Sequence, residues 1–375
     1  MAFPWNRRDS SPQMLPSERR RRSRSRRDRQ EEAGRENTRL TQEKKHQRLV
    51  WAIFTVLIMV ISGVVAAGVY DKYIHPPRVW AGSVRDVEFT MGDLVDRIQV
   101  LQGLTGQVDL SIVPFEYLQN QLIAEILRQA SPGLGINITD EDLDKALRDQ
   151  FLPEATAGEQ VAPGQLEQEF EQNYSAYLTR TDLSDVDYRI ILEEQLAEFQ
   201  LRSILAASIG ETGEQVEVEW IFLEPTGNVL PLEVRERLDI EEFGVVAAEV
   251  SVPDGFANGS GYVGWVPKNA FPDLDFVLFG DEENEVEALE VGEISRPVAT
   301  LDGIYIVHKL SGAEDREITV AMRVKLLAQV TRQWELDQLT RGAEEGWLRM
   351  NFNSELYAWV AQQVNISAPR TFRGQ

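Results

Sequence analysis

Apolar and polar positions along this chain change their period several times, and each change marks a different kind of element. Residues 49 to 70 contain no Asp, Glu, Lys or Arg. At about 1.5 Å per residue the run makes a helix of about 33 Å, enough for a hydrocarbon core of about 30 Å. Being apolar on every face, it reads as a membrane span. A buried core helix is the alternative, and Arg48, directly abutting the run, argues against it.

A helical period follows. Thr90, Thr139 and Ser184 are each followed three residues later by Asp93, Asp142 and Asp187, the pairing of an N-cap hydroxyl with an acid in the first turn. Apolar stripes run behind them: Leu94, Ile98 and Leu101; Phe115, Leu118, Leu122 and Ile126; Leu143, Ala146 and Leu147. A longer helix from Val186 to Ile209 places Ile190, Leu196, Phe199 and Ile204 among charges. These stripes read as mutual core packing, an exposed partner surface being the other possibility. Residues 153 to 164, PEATAGEQVAPG, read as a hinge or loop, and the helix from Pro163 to Thr179 is less sharply patterned.

From Val216 the period becomes two. Val216, Val218 and Trp220 alternate with Glu217 and Glu219, and Ile221 to Leu223 continue the strand. Helical stretches at 231 to 238 and 241 to 250 follow, then strand-like pieces at 262 to 266, 294 to 300 and 304 to 310, with Asp302-Gly303 turning between the last two. The order β, helices, β, short helix, β, β predicts an α+β domain of about 95 residues, from Val216 to Gly312. Beyond it, Val320, Val324, Leu327, Val330 and Trp334 mark a helix over 319 to 339. Trp347, Phe352, Leu356, Trp359 and Val364 mark another, whose aromatic residues read as core before ligand site.

Charge gives this layout a direction. Residues 1 to 48 carry 15 Lys/Arg against 7 Asp/Glu, a net of +8, and the rest of the chain carries 23 against 54, a net of −31. Basic residues crowd one flank of the apolar run, so that flank belongs in the cytoplasm and residues 71 to 375 outside. A cleaved signal peptide is the rival, but 48 residues precede the core, well beyond a usual total length of about 15 to 30. The span reads as an uncleaved signal anchor in the cell membrane. The tail, with RRRRSRSRRDR at 19 to 29, predicts a disordered segment that favours anionic lipid over nucleic acid. Residues 71 to 78, DKYIHPPR, form a stiff tether.

The alternating domain also carries motifs. Gly264-Trp265, Phe271-Pro272, Phe279 and above all GEISRPV at 292 to 298 followed by GIYIV at 303 to 307 resemble the parvulin family of peptidyl-prolyl isomerases. The upstream helices, with ITDEDL at 138 to 143 and LSDVDYR at 183 to 189, resemble the chaperone part of secreted parvulin foldases of the SurA, PrsA and PpiD type. The resemblance covers about residues 79 to 340. It implies a helical chaperone-like domain at 79 to 215, a parvulin-like domain inserted at 216 to 312, and helices at 313 to 375 that return to pack on the first part.

It also implies an apolar pocket that holds a proline while favouring the twisted amide, chemistry that needs no cofactor and no metal. Binding the perpendicular X-Pro amide better than either planar form is sufficient against a barrier of about 20 kcal/mol. By motif position the pocket uses Val263, Phe271 and Leu274, with Phe279 behind and Asp302 in the turn; each fits plain core equally well. This chain departs from the pattern at its polar centre: Trp220 and Tyr305 stand where the family keeps two histidines. The family's Cys or Asp has no clear counterpart in SVPDGFANGS, at 251 to 260, although Asp254 lies nearby. His308 falls three residues from Tyr305 and so on the opposite face of a strand.

Three histidines and no cysteine argue against zinc, and no phosphate loop or nucleophile set is present. The reading is a membrane-anchored extracytoplasmic folding factor acting on newly exported, unfolded polypeptides near the translocation machinery. The alternative is a noncatalytic peptide-binding chaperone or envelope scaffold with a degenerate parvulin domain.

Overall fold

The computed structural model describes residues 51–106, 114–152, 163–281, 284–351 and 353–367. The basic tail and most of the 153 to 164 segment lie outside the described residues. The chain divides into two units, Met1–Pro77 and Arg78–Gln375. In the first, Trp51–Ile74 (α1) is one continuous helix, its last turn widened to π geometry over Tyr70–Ile74. It is long and apolar enough to cross a membrane, and its apolar stretch is not buried by protein.

The second unit opens with a hairpin, Trp80–Val84 (β1) and Val87–Thr90 (β2), antiparallel and turned at Arg85, whose φ is 51°. Helices Met91–Thr105 (α2), Pro114–Leu134 (α3), Asp140–Phe151 (α4), Pro163–Thr181 (α5) and Asp185–Ser208 (α6) follow. Local chemistry starts three of them. Thr90 and Asp93 form a reciprocal capping box, Thr139 and Asp142 another, and Ser184 accepts from the Asp187 amide. The Thr139 amide and hydroxyl hold the Asp142 carboxyl below its usual range.

The α6 helix departs from the sequence reading. Ile190, Phe199 and Ile204 are exposed, while Tyr188 and Leu192 enter one core cluster and Ala197 and Leu201 another. The reason is geometric: at 100° per residue, positions 190, 196, 199 and 204 do not share a face. The helix is long enough to pack different neighbours along its length.

The second sheet is built on Thr212–Leu223 (β3), beginning earlier than the alternation alone marks. After helices Pro231–Arg237 (α7) and Phe243–Val250 (α8) come Tyr262–Pro267 (β4), Pro272–Leu278 (α9), Val298–Ala299 (β5), Ile304–Lys309 (β6) and Glu314–Glu317 (β7). Strand order is β4-β3-β6-β5, with β7 pairing the start of β3, all antiparallel. The 294 to 300 strand is reduced to two residues plus a bridge from Ile294 to His308, because Pro297 has no amide hydrogen to give to a ladder. On one face, Ile221, Leu223 and Ile306 pack under α7 and α8 through Val234, Phe243 and Val246.

Val320–Glu344 (α10) then returns to the helices, Leu348–Met350 (β8) pairs with β1, and Ser354–Ser367 (α11) packs against α2. The chain's late segments thus complete the core that its first strands began. Val320 and Val324, assigned by spacing to the α10 stripe, are exposed; the buried side is Met322 and Leu326, one turn apart.

Candidate functional site

On the other face of the second sheet, period two carries Val216, Val218 and Trp220 of β3 and Tyr305 and Val307 of β6 into one buried cluster. Register places Trp220 beside Val307 and Phe222 beside Tyr305. Phe271 and Leu274 enter from the start of α9, whose first turn is set by Pro272. The rings form a continuous series: Phe256 to Phe271 at 5.0 Å, Phe271 to Trp220 at 5.0 Å, Trp220 to Tyr305 at 5.4 Å and Tyr305 to Phe222 at 4.8 Å between centroids.

Of the residues assigned by motif, Trp220, Tyr305, Phe271 and Leu274 are therefore brought together, and their exposures of 0%, 6%, 7% and 1% make them a filled core. Val263 and Phe279 pack half-buried at its edge. Asp302 stays exposed in the turn, its amide donating to Thr300 Oγ1 at 3.2 Å. Gly303 next to it admits no side chain, since a Cβ there would collide with the Phe222 ring and meet the Leu223 carbonyl oxygen at 2.7 Å. His308 lies on the opposite face, with Nδ1 2.7 Å from Glu219 Oε1 and its ring beside Phe243.

Two features escaped the sequence reading. Asp254 occupies the polar centre: its Oδ2 accepts from Trp220 Nε1 at 2.6 Å, and its Oδ1 accepts from the amides of Phe256 and Ala257, both at 2.9 Å. An Asp-Gly pair in a loop usually signals only a turn, so spacing gave no hint that this carboxylate reaches inward. The second is α10. Ile318 just before it, together with Met322 and Leu326, belongs to the same buried cluster, and Lys325 Nζ stands 4.7 Å from the Phe271 ring centroid and 5.6 Å from that of Phe256. The start of the return helix thus shares this buried cluster.

Electrostatics follow from this burial. The Tyr305 hydroxyl is pushed well above its ordinary range, first by desolvation and then by the carboxylates of Asp254, Asp302 and Asp273. It stays protonated and able to donate. Asp275, one residue beyond Leu274, is raised to about 6, chiefly by burial; the Asn269 amide at 2.9 Å and Lys268 pull the other way. Its Oδ1 is buried with no hydrogen-bond partner among the described residues. No metal-ligand cluster of His, Cys, Asp and Glu occurs among the described residues.

A four-stranded antiparallel path flanked by two helices on one face, with a third helix between β4 and β5, makes up an α+β domain. In chain order it lies between α6 and α10. Among solved structures, the chain is similar to the peptidylprolyl isomerase PrsA of Bacillus anthracis at 14% identity, covering 67% of this chain and 96% of that one with a TM-score of 0.35. It is similar to a SurA-like chaperone of Campylobacter jejuni at 13% identity, covering 74% and 100% with a TM-score of 0.26. It is also similar to NmPin, the parvulin of Nitrosopumilus maritimus, at 24% identity, covering 26% and 98% with a TM-score of 0.22. No family model matches the chain. No curated protein matches it either.

Proposed function

We propose that this protein is a membrane-anchored extracytoplasmic folding factor whose helical unit binds unfolded, newly exported polypeptides, and whose parvulin-like domain turns over prolyl bonds little or not at all. The anchor is α1, oriented by the basic tail so that residues 71 to 375 lie outside. The observation that carries the reading is a set of large apolar side chains that the helices leave facing solvent: Val186, Ile190 and Phe199 of α6 and Val320 and Val324 of α10. On the isomerase-like sheet, Trp220, Phe271, Leu274 and Tyr305 are buried in one cluster with Met322 and Leu326.

A twisted prolyl amide needs an open apolar seat and a donor beside it. Here the Trp220 N-H is already given to Asp254, which leaves the Tyr305 hydroxyl as the donor, and the apolar side chains of Phe271 and Leu274 are buried. Exposed aliphatic and aromatic residues on rigid helices need no such geometry to hold an unfolded chain away from its neighbours.

The test uses the full chain in lipid nanodiscs and an aggregating, proline-free client. Ile190→Ser, Phe199→Ser and Val324→Ser together should abolish suppression of aggregation while leaving the unfolding transition in place, because all three side chains are exposed. Unchanged suppression in the triple variant would reject the helical unit as the binding surface.

A further inference from the structure

A cavity of about 660 Å³ lies between α2, α3 and α6, away from the sheet domain's aromatic cluster. Its size is that of an ordinary ligand site, in the range of about 300 to 1,000 Å³. Its walls are of two kinds. Val100, Leu127, Ile136 and Ala197 supply an apolar lining, with Ile190 on the side of α6. Around them stand six carboxylates, Asp93, Asp96, Glu125, Asp187, Glu193 and Glu194, against two guanidinium groups, Arg97 and Arg128.

Most of these charges are already committed. Arg97 pairs with Glu194, and Arg128 pairs with Glu125 at 2.6 Å. Asp93 caps α2 through Thr90, and Asp187 accepts from the Ser184 hydroxyl at 2.6 Å. Asp96 and Glu193 have no ion-pair partner among the described residues. The two arginines thus cancel two of the six carboxylates, and the lining keeps a net charge of −4 with every acid ionised. Crowding is felt at Asp96, whose carboxyl is raised by burial and then by its neighbours Asp93 and Asp187. One neutral acceptor adds a separate demand: Gln121 lines the cavity, and its Oε1 is buried without a hydrogen-bond partner among the described residues.

We propose that this cavity binds a cationic segment of an unfolded polypeptide, seating the alkyl stem of a Lys or Arg on its apolar lining and the charged head among the carboxylates that Arg97 and Arg128 leave uncompensated. The inference rests on the polypeptide-binding function above and adds the chemistry that the site selects. A long basic side chain matches both kinds of wall at once, because its stem is apolar and its head is not. An acidic segment meets four uncompensated carboxylates and is turned away. A peptide N-H entering beside the head satisfies Gln121 Oε1.

The full chain in neutral-lipid nanodiscs can be titrated calorimetrically with three capped, proline-free peptides that share their leucines and differ only in carrying Lys, Gln or Glu. In low salt the Lys peptide should bind about tenfold tighter than the Gln peptide, and the Glu peptide more weakly than either, with the preference shrinking as salt rises. Asp96→Asn with Glu193→Gln should reduce the Lys preference below about twofold. Ala124→Phe, which fills the cavity from α3, should weaken the Lys peptide most.

A Lys preference that survives both sets of substitutions would place charge selection elsewhere and overturn the proposal. Equal affinity for all three peptides would overturn it while leaving polypeptide binding intact. No binding of any peptide would overturn the proposal and the general binding function together.

Discussion

Trp220→Phe separates a structural tryptophan from a residue that serves prolyl turnover. Trp220 is fully buried and its indole N-H donates to Asp254 at 2.6 Å. Phenylalanine removes that bond, at about 1.5 to 3 kcal/mol for a partner that is charged. It also empties much of the space of the distal benzo ring, at about 24 cal/mol per Å³ of cavity that the site cannot close, or about 1 kcal/mol for a lost volume of about 40 Å³. The sum is about 2.5 to 4 kcal/mol, a large share of a domain's stability.

Denaturant unfolding followed by near-ultraviolet circular dichroism measures it, with Asp254→Ala and the double variant completing a cycle. The two single losses should fail to add, with a coupling of about 1.5 to 3 kcal/mol, because each removes the same hydrogen bond. A stability loss below about 1 kcal/mol in Trp220→Phe, accompanied by a collapse of prolyl exchange, would refute the argument and return Trp220 to a catalytic role.

Further outcomes follow from the same geometry. Exchange spectroscopy on a proline peptide should find little acceleration by the wild-type protein and a further loss below about twofold in Tyr305→Phe; a large selective loss would assign the hydroxyl a part in turnover. Asp275, raised to about 6 in the folded chain against 3.8 for the free side chain, holds its proton more tightly when folded. Stability therefore falls as pH rises from about 4 to about 6, by about 1 to 2 kcal/mol once partial solvent access is allowed for. Asp275→Asn should flatten that window and raise the unfolding midpoint near neutral pH; an unchanged pH profile would show that the carboxyl does not titrate there. Protease added outside cells stripped of outer barriers should digest residues 71 to 375 and spare the basic tail, and protection of the large unit would reverse the proposed orientation.

The sequence made some of this architecture legible and hid the rest for identifiable reasons. Caps at Thr90, Thr139 and Ser184 could be read because a hydroxyl followed three residues later by an acid specifies a local geometry that needs no tertiary help. Alternation along β3 likewise separated Trp220 from Ile221, and the odd spacing of His308 from Tyr305 put imidazole and phenol on opposite faces. Trp80–Val84 and Leu348–Met350 did not show, because these strands are short and pair across most of the chain. Nothing local in WAGSV or LRM names the other. Asp254 was visible as a loop residue near the position of the family's Cys or Asp, but its bond to Trp220 was not, since that partner lies on a different element.

The least legible feature bears most on function. Its first turns carry Met322 and Leu326 into the sheet domain's aromatic cluster, whereas Trp334 further along α10 packs with the helical core beside Leu127, Leu201 and Val360. One helix therefore takes part in both cores. Lys325 standing over Phe271 adds a charge contact between α10 and the sheet domain's cluster. Removing Met322 or Leu326 from this buried cluster would cost about 2 to 5 kcal/mol each by the measure of large-to-alanine substitutions in cores. A short peptide has little binding energy to spare for that. On the proposed function, the sheet domain then acts as a brace for α10, the helix that exposes Val324.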